Sequence, residues 1–496
     1  MINRRVLALA AVAVTTIFFT LSVEAQATVT TYLRPNTDIQ AGGWTTVGSS
    51  KEWSALDEPV IPWEIPPHTD YIDSGTGGGT AEVGLSTTSL AGAKITEARV
   101  FFYTPNSNPI VLQAKEQGGG GQVVSGTFSS TGWHDFFIFL NGKQTQLDGV
   151  SFAFIHPANS PPSQVDAAFL RLMIEPPESQ IYWGAWMDGD VYGGGLKDAP
   201  WDEATWKAFQ QHTNEKSVSI VHFGQPAPWN QEFDPSPLDK ARAKGAIPLM
   251  DMDSDGVTLQ SLNNGSKYLS VSKWVKDVKN YGKPFFFRWQ WEMNIPSSQL
   301  GSEAAANPEL FKSVWRQFHN VAEGAGATNI TWVWCPNVKF GGSPPSTPIK
   351  SLYPGNAYVD WTCMDGYNHG TKTPSWSPWT SFYDLFSSTY QELVSSEFEG
   401  HEKPIMIGET ASTEAGGSKP EWIAEALGSV LPISFPRIEA MLWFNWNITE
   451  NGTTWDWPIE SSSESTAAFA NAISSSYYAP GSFGGLAPLT RIQPLP

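Results

Sequence analysis

Two hydrophobic periods divide this chain. From Thr28 to about Glu175, apolar and polar positions alternate in short segments, as in Ala98-Arg-Val-Phe-Phe-Tyr-Thr104 and Val150-Ser-Phe-Ala-Phe-Ile155. Clusters of Gly, Pro, Ser and Asn separate the segments, and no helical period runs through them. A period of two bounded by turn formers predicts strands. Roughly 150 residues of such strands predict an all-β sandwich, an architecture common among accessory carbohydrate-binding modules. A structural spacer is the equal alternative. Pro176-Pro177-Glu178 reads as the junction that follows.

From Tyr182 the pattern changes. Buried-strand signals appear at Tyr182–Met187, Val218–Phe223, Ala246–Asp251, Pro284–Glu292, Ile330–Trp334, Val359–Met364, Pro404–Ile407 and Ile438–Trp443. Amphipathic stretches lie between most of them, for example Asp202–His212, Leu269–Tyr281, Pro308–Glu323 and Ser377–Ser395. Only the connection from Val338 to Tyr358 lacks a clear helix. Eight strands alternating with helices predict a closed (β/α)8 TIM barrel, here 177–478. The competing fold is an open doubly wound sheet. The first strand is not followed by a Gly-rich phosphate loop, which argues against a nucleotide-binding version. The tail, 479–496, is rich in Pro and Gly and is expected to run extended over the surface.

Residues 1–27 read as a signal peptide. Arg4-Arg5 precede an apolar run, Val6–Val23, and Ala25-Gln26-Ala27 forms a small-residue cleavage site. A membrane anchor is the alternative, but the run is barely long enough to span. The expectation is a secreted protein, free of the membrane after cleavage, with the sandwich at 28–176.

The formal net charge is −19. An acidic chain without a basic stripe repels nucleic acid and anionic lipid, so a neutral ligand is expected. The 23 Trp and 14 Tyr supply flat rings of the kind that stack on sugars, although such rings also fill cores. Cys335 and Cys363 are the only cysteines, at the ends of neighbouring predicted strands. A bridge and a buried free pair are both open. Asp251 and Asp253 lack a third ligand in view, so no metal and no cofactor is assigned.

Two predicted strands end in a carboxylate. One is Lys283-Pro-Phe-Phe-Phe-Arg-Trp-Gln-Trp-Glu292, and the other is Lys403-Pro-Ile-Met-Ile-Gly-Glu409. Burying an unpaired carboxylate is costly, so each needs partners or a task. As the fourth and seventh strands of a barrel they would face each other across its mouth. Two carboxyls about 5–5.5 Å apart hydrolyse glycosidic bonds with retention. Arg288 and Tyr367 are candidates to orient Glu409. Trp289 and Trp291 supply an apolar setting for Glu292.

Four strings resemble glycoside hydrolase family 26, in order and over most of Tyr182 to about Ser476. They are Arg288 with Glu292-Met293-Asn294, then Val359-Asp360-Trp361 with Asp365-Gly366-Tyr367-Asn368, then Gly408-Glu409-Thr410, and Trp443-Phe444-Asn445 with Asp456-Trp457. The resemblance implies Glu292 as acid/base, Glu409 as nucleophile, Tyr367 as its orienter and Trp443 as a platform under the sugar. Further substrate-binding candidates are Trp291, Asn294, His222, Asp365, Asn337 and Trp334. Asp188, Asp251 and Asp253 are candidates for sugar hydroxyls, and Trp229 for stacking. The chain departs from family mannanases at Trp291, where they carry His, and at Ile295-Pro-Ser-Ser-Gln299, where they carry aromatics. The expected partner is a polysaccharide. β-1,4-Mannan is the first expectation, and mixed-linkage glucan and β-1,3-xylan are the alternatives. A silent barrel that only binds polysaccharide or a cell-surface partner is the rival from another class.

Overall fold

The computed structural model describes residues 29–33, 37–40, 44–47, 71–76, 79–85, 94–116, 123–138, 150–175 and 180–496, less 299, 340–344, 373–377 and 451. The expected signal peptide, the junction Pro176-Pro177-Glu178 and Gln299 lie outside them. Among the described residues, no helix is long and apolar enough to cross a membrane.

The strands before residue 176 pair antiparallel in three sheets. The four-stranded sheet runs in the order Val29–Leu33, Ala167–Glu175, Lys94–Thr104, Gly132–Ile138. The five-stranded sheet runs Thr37–Gln40, Gly79–Leu85, Val150–His156, Ile110–Glu116, Val123–Phe128. The third has three short strands. Alternation along Lys94–Thr104 puts Ala98, Val100 and Phe102 on one buried face. Phe102 meets Phe128 and Phe154 of the five-stranded sheet, at ring-centre distances of 4.9 and 5.7 Å.

From Tyr182 eight parallel strands close into a barrel. They are β1 (Tyr182–Met187), β2 (Ile220–Gly224), β3 (Ile247–Met252), β4 (Phe285–Trp289), β5 (Ile330–Trp334), β6 (Trp361–Asn368), β7 (Ile405–Ser412) and β8 (Ile438–Asn445). β8 pairs with β1 from Tyr182↔Ala440 to Met187↔Asn445. Helices follow most strands: α1 (Glu203–His212), α2 (Ser236–Ala243), α3 (Tyr268–Tyr281), α4 (Pro308–Ala325), α5 (Phe382–Val394), α6 (Lys419–Glu425) and α7 (Ser463–Ile473). Local chemistry sets their ends. Asp202 accepts from Ala204 N at 2.8 Å to cap α1, and Gly282, at φ +70°, lets the chain leave α3. Among its described residues, the connection after β5 carries a four-residue turn of helix, Ile349–Leu352, and a short 3-10 turn, Asn356–Tyr358.

Strand parity sorts the side chains. One set fills the barrel interior, including Ile220, Leu249, Phe286, Trp361 and Leu442. The alternate set, including Trp183, Phe287, Trp332, Trp334 and Trp443, packs outward against the helices.

The tail runs over the outside of the barrel as its composition predicts, with only Ala479 and Ile492 buried, and it does one thing more. It closes the floor of the barrel, beneath the starts of the strands. Ile492 is 3% exposed and packs into the interior cluster. Trp361 Nε1 donates to Ile492 O at 2.9 Å, and Tyr182 Oη to Gln493 O at 2.9 Å. Arg491 pairs with Asp360 at 2.7 Å and with Glu323. Pro and Gly mark the segment as irregular backbone, but they do not reveal that strand starts leave apolar rings to be covered.

Candidate active site

At the opposite end of the barrel a single guanidinium gathers the acidic groups. Arg288 points inward from β4 and is completely buried. Its Nε donates to Asp251 Oδ1 at 2.8 Å, and its Nη2 to Asp251 Oδ2 at 2.5 Å. Its Nη1 donates to both oxygens of Asp365, at 2.9 and 2.8 Å. Nη2 also reaches Glu409 Oε1. His222 Nε2 lies 2.7 Å from Asp251 Oδ2 and 3.2 Å from Nη2.

Glu409 is brought to this cluster by a bulge. β6 and β7 pair Met364↔Ile407 and then Asp365↔Glu409, so Gly408 is the extra residue. Only glycine fits there. A Cβ would stand 2.6 Å from Cys363 Sγ and 2.7 Å from Arg288 Nη1 and Asp365 Oδ1. The second oxygen of Glu409 accepts from Tyr367 Oη.

Glu292 sits three residues past the end of β4, on strained backbone. Gln290 and Glu292 have φ of +50° and +54°, in the left-handed region that a glutamate rarely occupies. Cys335 O accepts from Glu292 N at 2.7 Å, and Asn337 Nδ2 donates to Glu292 Oε1 at 2.6 Å. Carboxyl oxygens of Glu292, Asp365 and Glu409 come within 4.8 Å of one another.

Electrostatics separates these acids. Burial, with the Glu409 charge beside it, raises Glu292 to about 7, against the opposing hydrogen bond from Asn337. Burial also raises Asp365 well above the carboxylate range despite Arg288. Asp251 is depressed: burial pushes it up, but Arg288 and His222 outweigh that. Burial, then the Glu409 charge, raises the Tyr367 phenol, which keeps its proton to donate. A raised acid thus faces Glu409, whose two oxygens are both held by donors. That pair can protonate a leaving group on one side and attack carbon on the other.

The two other acidic clusters do not favour a cation. Cys335 and Cys363, beside Asp365, form a disulfide, which settles their state. His222, Asp251 and Glu409 already share Arg288, whose charge occupies the place a metal would take.

Several expected sugar contacts sit elsewhere. Trp443 has the outward parity. It is completely buried between Trp422 and Phe469, and its Nε1 donates to Trp457 O at 3.0 Å, so it offers no face to a ligand. Trp334 is buried outward as well, against Tyr353 and Phe398. Asn294 is fully buried and clamps the backbone of Asn337, accepting from its N and donating to its O, both at 2.8 Å. It orients Asn337 and does not reach the mouth. His222, Asp251 and Asp365 are tied up in the Arg288 cluster. Asp188 accepts from Asp190 N and Asn447 N at 3.1 and 3.2 Å. Asp253 shares a hydrogen bond with Asp255 and is raised to about 6, chiefly by burial. Trp229 lies on the outer side of the barrel, in a groove with Leu262, Tyr268 and Phe318.

Trp291 does reach the mouth. Partly exposed, it lies with its ring 5.5 Å from the Arg288 guanidinium carbon. The rings that the sequence reading missed are Phe444, Trp446 and Trp186. Phe444 has inward parity and meets Tyr367 at 5.7 Å. Trp446 stacks on Trp186 at 5.1 Å, with 5° between planes. The signal was available: Ala440 and Leu442 face inward, so Phe444 does too, and Trp443 cannot.

Residues 248–395, from β3 into α5, match the profile of Glycosyl hydrolase family 26. Endoglucanase H of Acetivibrio thermocellus is 35% identical over 296 residues, which are 57% of this chain and 31% of that protein. The chain thus spans 31% of that relative's length. A Cellulomonas fimi endo-β-1,4-mannanase double mutant shows 15% identity over 63% of this chain and 75% of its own, with a TM-score of 0.45. The family 26 domain of a Prevotella bryantii endo-β-mannanase/endo-β-glucanase shows 13% identity over 62% and 93%, with a TM-score of 0.40. These two likenesses are too remote to carry an argument. On the profile match over residues 248–395, the relative and the motifs, the barrel is similar to glycoside hydrolase family 26.

Proposed function

We propose that this chain is a secreted retaining endo-β-glycosidase that cleaves a neutral β-linked polysaccharide by double displacement. One observation carries the reading: the raised carboxyl of Glu292 lies within 4.8 Å of a Glu409 carboxylate held by Arg288 and Tyr367. The spacing fits retention, since inversion needs about 6.5 Å or more to admit a water.

In the first step Glu292 gives its proton to the glycosidic oxygen, and Glu409 attacks the anomeric carbon. The leaving chain departs with the proton, and a glycosyl ester remains on Glu409. Arg288, losing its partner charge on Glu409, keeps Asp251. In the second step Glu292, now ionised, takes a proton from water as the water attacks the same carbon. Glu409 is released and Glu292 regains its proton. Trp291, Phe444 and the Trp186–Trp446 pair supply the surfaces on which sugar rings would lie.

For the substrate we favour a β-glucan containing 1,4 linkages. The relative named for glucan is 35% identical, and Trp291 presents an aromatic ring beside the acid where family mannanases present an imidazole. β-1,4-Mannan is the second reading, favoured by the four motif strings. The sheets before residue 176 are read as a sandwich, supported by the ring contacts of Phe102 with Phe128 and Phe154, and glycan binding and a spacer role are equal readings of it. The test is product release from mixed-linkage glucan, mannan, galactomannan and β-1,3-xylan. Oligosaccharides from the glucan alone are expected. Release from mannan alone would transfer the substrate to the second reading, and binding without release from any would make the barrel a silent binder.

A further inference from the structure

We infer that the Cys335–Cys363 disulfide is a positioning device for Glu292, joining the strand exits at the point where sheet pairing runs out. The inference rests on the reading of Glu292 as the acid/base.

The β4–β5 ladder runs from Phe285↔Ile330 to Phe287↔Trp332 and ends. The β5–β6 ladder has only Val333↔Trp361 and Trp334↔Thr362. The next pair in line is Cys335 with Cys363, and a covalent bond stands there, with a Cα–Cα distance of 4.2 Å. Pro336 follows and has no N–H to donate. The chain rejoins β6 only through Asp365 N donating to Pro336 O at 3.0 Å and Val338 N to Asp365 O at 2.8 Å.

Both groups that fix Glu292 lie in this gap. Cys335 O accepts from its backbone N–H, and Asn337 Nδ2 holds its carboxyl. The backbone they hold is in the left-handed region, which a glutamate leaves unless its neighbours retain it. Glu409 is held by Arg288 and Tyr367 from β4 and β6, and the bridge meets this side only by packing, with Cys335 Sγ 3.6 Å from Arg288 Nη1 and Cys363 Sγ against Gly408. Loss of the bridge would therefore free the acid while leaving the nucleophile in place. Both sulfurs are completely buried, so the bridge touches no substrate.

The test is leaving-group dependence. The full chain carrying Cys335→Ser with Cys363→Ser is compared with wild type on polysaccharide and on a dinitrophenyl β-glycoside, whose departure needs no proton. Polysaccharide turnover should fall at least about tenfold, while the activated glycoside stays within about threefold. The high-pH limb, set by Glu292 near about 7, should move down as its carboxyl gains water. Equal losses on both substrates, or none on either, would overturn the inference. If the serine pair does not fold, Cys335→Ala with Cys363→Val and wild type reduced by a phosphine, with thiols counted, give the same comparison. Glu292→Ala runs alongside. If it shows leaving-group dependence and the cysteine variants do not, the disulfide inference alone fails. If Glu292→Ala shows none, the acid/base reading fails and takes the inference with it.

Discussion

Glu292 and Arg288 solve opposite problems of burial. Glu292 is raised from its ordinary 4.5 to about 7, so the fold favours its neutral form. A group raised in the fold contributes stability that is fully present below about 4.5 and lost as pH rises through about 7. Glu292→Gln removes that dependence. Relative to wild type it should gain up to about 3 kcal/mol on going from pH 4 to pH 8, read from urea unfolding at the two values. In wild type, kcat/KM should fall as pH rises through about 7, and Glu292→Gln should lose that limb on activated glycosides. Arg288 is the counter-charge for three buried carboxyl groups. Arg288→Met should cost about 3–5 kcal/mol of stability, because it strands buried charge. Gly408→Ala should cost about 1–3 kcal/mol through its clash and cut turnover by displacing Glu409, measurable by thermal melting and assay together. The glutamates and Arg288 were legible because charge on an apolar strand is expensive without a role, and Tyr367 through the string Asp365-Gly366-Tyr367-Asn368. Asn294 was misread because sequence shows an amide beside the acid but not which way it faces.

At the scale of the element, parity decides what a strand can offer. The order β1 to β8 was readable from alternating strand and helix patterns, and the observed bounds differ by a few residues. The face of each residue was also implicit in the period of two, yet Trp443 and Trp334 were drawn into the site by their type alone. Their outward parity sends both to the helix layer. Phe444 follows the inward parity, so Phe444→Ala should weaken KM for polysaccharide by about tenfold while leaving the fold intact. Trp443→Phe should instead act through stability, since its ring fills the layer between Trp422 and Phe469. The tail was the element least visible in sequence. Its role depends on tertiary contacts with Trp361, Tyr182 and Asp360, which no local pattern encodes. Ile492→Ala should cost about 2–4 kcal/mol in denaturant unfolding without moving the pH profile, because the floor lies at the far end of the barrel from Glu292.

Across the whole molecule, the same barrel keeps its stability and its chemistry at opposite ends. The floor is sealed by the tail, and the mouth holds one guanidinium, paired acids and a rim of rings. The strained backbone at Gln290 and Glu292 is retained by its neighbours at the mouth, Met252 O, Cys335 O and Asn337. The acidic net charge suits a neutral polysaccharide, whose binding should change little between low and moderate salt. The central claim is that Glu409 is the nucleophile of a retaining pair. The measurement that tests it most directly is azide rescue of Glu409→Ala on an activated aryl β-glycoside. The variant should lose at least about 10⁴-fold in turnover without azide. With azide it should regain activity and release the α-glycosyl azide, since the small anion takes the place of the missing carboxylate. A variant that still cleaves without azide, or that yields only the β-glycosyl azide, would contradict that assignment.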